Sequence, residues 1–176
     1  MIRFIANYFQ RTESYSTGRF IFEMFILSFL PKLLIIALYS VFLFLDIESE
    51  FIFGDMGETN TESILGDIHW VGGFILLCLL IPLFETFIFQ ALPIYFFSIF
   101  TKNRFFLLLL SSFLFVFMHK SQPIAILLII FFSGVIYAWS FILYKKKGFL
   151  KGLVTTSVIH ALFNFIAFLT YYFWPN

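Results

Sequence analysis

Apolar residues in this chain run in long blocks instead of alternating with a strand's period of two or a surface helix's period of 3.6. The first block extends from Phe20 to Leu45 and is interrupted by Glu23, Pro31 and Lys32. A second runs from residue 70 to residue 100, a third from Phe105 to about Met118, and a fourth from Ile124 to Tyr144. The last begins at Phe149 or Leu153 and ends at Trp174. A helix needs about 20 apolar residues to cross the hydrocarbon layer, so each block reads as a transmembrane helix. The block 70–100 is longer than one crossing requires, and Pro82 and Pro93 predict kinks in it.

The polar stretches between blocks predict orientation. Lys and Arg gather in 1–19, 102–104 and 145–151, whereas 46–69 contains Asp46, Glu48, Glu50, Asp55, Glu58, Glu62 and Asp67 with no Lys or Arg. By the positive-inside rule the N-terminus is cytoplasmic and the acidic loop lies outside. That alternation holds only if 70–100 is one tilted or kinked crossing. The expected architecture is therefore an all-α integral membrane protein, a bundle of about five transmembrane helices with one long and kinked. Ile2, Phe4, Ile5, Tyr8 and Phe9 have helical spacing and predict an interfacial amphipathic start. Arg19 and Glu23 stand at i,i+4 and are expected to pair. The acidic loop lacks calcium-loop spacing and reads as solvated, and His69-Trp70 at its end reads as an interfacial anchor.

Composition agrees: 61% of residues are hydrophobic and 12% charged, with mean hydropathy +0.99. A net charge of +1 with no basic face gives no nucleic-acid role. At 176 residues the chain forms one bundle. The N-terminus lacks a small-residue cleavage site and does not read as a removed signal peptide. The single Cys78 lies inside an apolar block, so no intrachain disulfide forms. The 30 phenylalanines read as coding bias and not as a cofactor surface. Lys32, deep in the first block, reads better as a snorkelling or paired lysine than as a site cation.

Four polar residues at membrane depth remain: Glu85, His119, His160 and Asn164. Ionisable groups there are costly and functional by default. His160 and Asn164 are at i,i+4, on one helix face about 6 Å apart along the axis, and must face the bundle interior. Such residues also serve as interhelical glue, but a carboxylate, two histidines and an asparagine on three spans point to chemistry. Glu and His can deprotonate water, while the second His and the Asn donate to an oxyanion. That is peptide-bond hydrolysis without a covalent intermediate. Glu plus two His is also a zinc set, although no HExxH is present, and Ser111, Ser112 and Ser157 lack a nucleophile elbow.

The segments Glu85 to Gln90, Phe115 to His119 and His160 to Asn164 resemble the signature of the CPBP family, CAAX proteases and bacteriocin-processing enzymes. That family carries Glu-Glu-x-x-x-Arg, Phe-x-x-x-His and His-x-x-x-Asn on successive transmembrane helices. Pro82 ahead of the Glu, and Phe132-Ser133-Gly134-Val135 opening the penultimate helix region, add to the likeness, which covers about 70–170. It implies an intramembrane protease core over 70–176 and leaves outside it the N-terminal amphipathic segment, first transmembrane helix and acidic extracytoplasmic loop over 1–69. Glu85 would be the water-activating glutamate, His119 its partner, and His160 with Asn164 the oxyanion pair, between three helices. Thr86 and Gln90 replace the second Glu and the Arg of the motif, an electrically balanced loss that leaves room for a neutral Thr86–Gln90 hydrogen bond. The implied substrate is a membrane-associated or lipidated peptide. No cofactor is expected, zinc being possible but not favoured, and the implied location is a bacterial cytoplasmic membrane. The alternative is a non-catalytic scaffold or immunity partner that keeps the fold.

Overall fold

The computed structural model describes residues 12, 14–47, 50–54 and 68–173. Among these it is all helical: α1 (Thr17–Phe44), a single turn α2 (Glu50–Phe53), a long composite helix α3 (Trp70–Phe97), α4 (Arg104–Met118), α5 (Ile124–Tyr144) and α6 (Phe149–Phe173). The amphipathic N-terminal stretch and most of the acidic loop lie outside the described residues.

Four of these helices are long and apolar enough to cross a membrane: α1, α3, α5 with its 3₁₀ extension to Lys147, and α6. The fifth expected span, α4, has 15 residues, about 22 Å of helix and short of the ~30 Å hydrocarbon layer. The helices wear their apolar side chains outward as well as inward; Leu34 is 70% and Phe105 67% exposed. Such surface is stable only against lipid.

Local chemistry sets the helix ends. Ser16 Oγ accepts from the Arg19 amide at the start of α1, and Arg19 Nε pairs with Glu23 at 2.9 Å as its spacing predicts. Asn103 Oδ1 accepts from the Phe106 amide to open α4. His69 is an N-cap, its Nδ1 accepting from the Val71 amide at 3.4 Å. Gly148 adopts φ +125°, a conformation that disfavours any side chain, and turns the chain from α5 into α6.

Three differences from the sequence reading have physical causes. The acidic loop is not solvated throughout: α2 buries Phe53 completely between Ile35 of α1 and Ala125 of α5. Phe132–Val135 lies in the middle of α5 and does not open it. Finally, α3 accommodates its prolines by widening: Ile75–Leu80 and Thr86–Ala91 are π-helical. Insertions of this kind free backbone groups and occur often at functional sites.

The main core joins four helices: Phe20 and Met24 of α1, Phe115 of α4, Tyr137 and Tyr144 of α5, and Ile159 of α6. It packs directly beside the polar residues that the sequence singles out.

Candidate active site

The two prolines of α3 begin the construction. In the first π segment the Ile81 amide donates to the Leu76 carbonyl, one residue further back than in an α-helix. The Leu77 carbonyl would next receive the amide of residue 82, but Pro82 has none. Asn164 of α6 supplies the missing donor, its Nδ2 lying 3.1 Å from the Leu77 oxygen. Eleven residues on, the Leu92 amide donates to the Phe87 carbonyl at the end of the second π segment, and Pro93 has no amide to continue the series. Next to this break Ser111 of α4 donates to the Phe89 carbonyl at 2.7 Å. Near each proline a side chain of a neighbouring helix, Asn164 of α6 and Ser111 of α4, thus donates to a carbonyl of α3, which brings these helices against it on either side of Glu85.

His119 is placed by the end of α4. The helix stops at Met118 and His119 is its C-cap residue. Its Nδ1 lies 2.8 Å from the carbonyl of Phe115 one turn earlier, one of the orphan acceptors of a helix C-terminus. A carbonyl can only accept, so Nδ1 carries the hydrogen and Nε2 is left free to face the interior. Because α4 is short, this imidazole stays among the other helices.

Phe115 and Tyr137 fix the second histidine. His160 is buried (4% exposed), its ring stacked on Tyr137 at 4.6 Å between centroids and 23° between planes. Phe115 meets His160 edge-on at 5.6 Å and His119 at 5.0 Å. Gly134 allows this approach of α5 to α4, since a Cβ there would lie 3.1 Å from Phe115 Cδ1 and 3.5 Å from Ser112 Cα.

The result is a carboxylate between two imidazoles. His119 Nε2 stands 3.6 Å from Glu85 Oε1, and His160 Nε2 3.5 Å from Glu85 Oε2. These separations are longer than good direct hydrogen bonds and suit groups that share a small polar species. The three residues line a cavity of about 250 Å³, closed by Tyr137, Phe163 and Asn164 among others. At about 30 Å³ of liquid per water that is room for several waters or part of a peptide.

All four predicted residues therefore meet in one place, Glu85 from α3, His119 from α4, and His160 with Asn164 from α6. Asn164 has one amide proton committed to Leu77, which leaves its second. Thr86 and Gln90 behave differently from expectation. They do not bond one another; both are buried, and the Gln90 side chain instead meets Ser111 Oγ of α4. Thr86 Oγ1 and Gln90 Nε2 find no partner among the described residues. The π-helical turn that begins at Thr86 alters the i,i+4 register on which the expected bond depended. Tyr137 escaped the sequence reading because α5 is apolar on every face and nothing in its periodicity marks that residue.

Residues 67–166 match the family described as type II CAAX prenyl endopeptidase, Rce1-like. The chain belongs to the Rce1-like family. The match opens just before α3 and closes two residues after Asn164, so it takes in every residue that faces the cavity from α3, α4, α5 and most of α6. Comparison with curated proteins and with solved structures gives no match. Membership of the Rce1-like family makes this an intramembrane protease at the level of the family. Among the described residues, no group of three or more His, Cys, Asp or Glu side chains is arranged to hold a metal ion.

Proposed function

We propose that the protein is an intramembrane endopeptidase of glutamate type that cleaves a membrane-associated or lipidated peptide with an activated water. The observation that supports it best is the placement of Glu85 between His119 Nε2 and His160 Nε2, at 3.6 and 3.5 Å, on the wall of one cavity. A water held between Glu85 and His119 gives a proton to the carboxylate as its oxygen attacks the scissile carbonyl carbon. The C=O π pair moves to oxygen, and His160 Nε2–H with the second Asn164 amide proton donates to the resulting oxyanion. Collapse of that intermediate breaks the C–N bond, and the proton held by Glu85 passes to the leaving amine. No residue becomes covalently attached, and no metal is required.

The test is cleavage of a prenylated, fluorophore-labelled peptide by the purified protein in lipid vesicles. Glu85→Gln keeps the shape of the side chain and removes the base. A folded Glu85→Gln protein that still cleaves at the wild-type rate defeats the proposal.

A second reading is a scaffold or immunity partner that keeps the fold without catalysis. It draws on the Asn164–Leu77 hydrogen bond, which is what interhelical glue would make. It predicts that Glu85→Gln and His119→Ala retain function, and that Asn164→Ala acts through stability alone.

A further inference from the structure

Lys32 stands in α1 outside the family match, fifteen residues in from Thr17 and twelve from Phe44. At 1.5 Å per residue both ends of the helix are about 18 Å or more away, so Lys32 stands near the middle of α1, deeper than its stem reaches when the helix is centred in a ~30 Å hydrocarbon layer. An ammonium at this depth needs a partner. Its Nζ lies 5.5 Å from the ring centre of Phe29 and 5.9 Å from that of Phe163, the positions of a cation held by aromatic faces. No ion pair to it exists among the described residues. Phe163 is also a wall of the Glu85 cavity, and no Lys or Arg lines that cavity. Position 90, where the family motif places arginine, is a glutamine turned to Ser111. Lys32 is thus a cation one ring away from the reacting groups.

We propose that Lys32 is an anion subsite at the edge of the cavity, which takes the C-terminal carboxylate of the peptide substrate. The inference rests on the endopeptidase reading. In a water-poor site an ammonium and a carboxylate form a strong, short contact, and a peptide threaded through a bilayer always brings one carboxylate, its terminus. A C-a-a-X peptide carries that carboxylate three residues beyond the prenylated cysteine, about 10 Å in extended form, a span that reaches beyond a bond held at Glu85. A lipid phosphate offers the same charge, but headgroups sit at the interface and Lys32 does not.

The experiment uses the full chain in phosphatidylcholine vesicles and two farnesylated C-a-a-X peptides that differ only in a terminal acid or amide. Wild-type protein is expected to favour the acid by about tenfold or more in kcat/KM. Lys32→Met brings the acid-to-amide ratio toward one, and Lys32→Arg keeps it. Binding of both peptides to Glu85→Gln protein gives a readout that needs no turnover. A wild-type ratio near one, or a ratio that survives Lys32→Met, overturns the proposal. So does a Lys32-dependent rate that responds to phosphatidylglycerol in the vesicle and ignores the peptide terminus. If neither peptide is cleaved but the acid still binds more tightly through Lys32, the endopeptidase reading fails and the anion subsite stands.

Discussion

Asn164 Nδ2 donates to the carbonyl of Leu77 at 3.1 Å, a carbonyl left without a backbone donor because residue 82 is proline. One hydrogen bond therefore couples the widened helix α3, which carries Glu85, to α6, which carries His160. The proline, the π-helical turn and the asparagine form one device, and Glu85 takes its position from it.

That coupling can be measured. Removing Asn164 leaves a carbonyl unpaired in an apolar interior, and Asn164→Ala is expected to cost about 1 kcal/mol of stability, the usual size of a polar contact between membrane helices. Pro82→Ala gives the Leu77 carbonyl a new backbone donor, so the loss should be smaller in the Pro82→Ala background. Unfolding of the four proteins in detergent micelles supplies the double-mutant cycle. Equal losses in both backgrounds would show that the two residues act independently.

Tyr137 holds His160 by its ring. Tyr137→Phe preserves the stack and should leave folding and cleavage close to wild type, whereas Tyr137→Ala removes a fully buried ring and should cost about 3–5 kcal/mol. Peptide cleavage and thermal unfolding measured together check this. A Tyr137→Phe protein that folds but is inactive would move the role from the ring to the hydroxyl.

Gly134 is where α5 packs against Phe115 and Ser112 of α4 beside the site. Valine there must push Phe115 and the backbone of Ser112 away, at a cost of about 1–3 kcal/mol, and both histidines rest against Phe115. Gly134→Val is expected to lower cleavage more than Gly134→Ala does. A valine variant with wild-type stability would mean that α4 moves freely.

Metal dependence separates two chemistries available to the same residues. The general-base route needs none, so cleavage should persist after treatment with 1,10-phenanthroline or EDTA and dialysis. Loss of activity that zinc restores would replace the water-activating role of Glu85 with ligation.

The acidic loop and Gln90 show what the sequence could and could not convey. Apolar blocks and their lengths are written in consecutive positions, so the helices and the all-α membrane class were legible. So were Glu85, His119, His160 and Asn164, because a polar residue within an apolar block stands out against its neighbours. The partners of those residues depend on groups distant along the chain. The Thr86–Gln90 bond expected from i,i+4 spacing gave way to a Gln90–Ser111 contact across helices, and Phe53 of a loop that reads as polar is buried against α1 and α5.

Which residues must turn inward follows from their places in the apolar blocks, since in hydrocarbon a polar group finds partners only within the bundle. Only the packing of the helices decided that two of them, His119 and His160, meet around one carboxylate. Pro82 leaves the Leu77 carbonyl of α3 without a backbone donor, and Asn164, on a helix brought there by packing, is the donor that closes it, while Ser111 of α4 donates to the Phe89 carbonyl near Pro93.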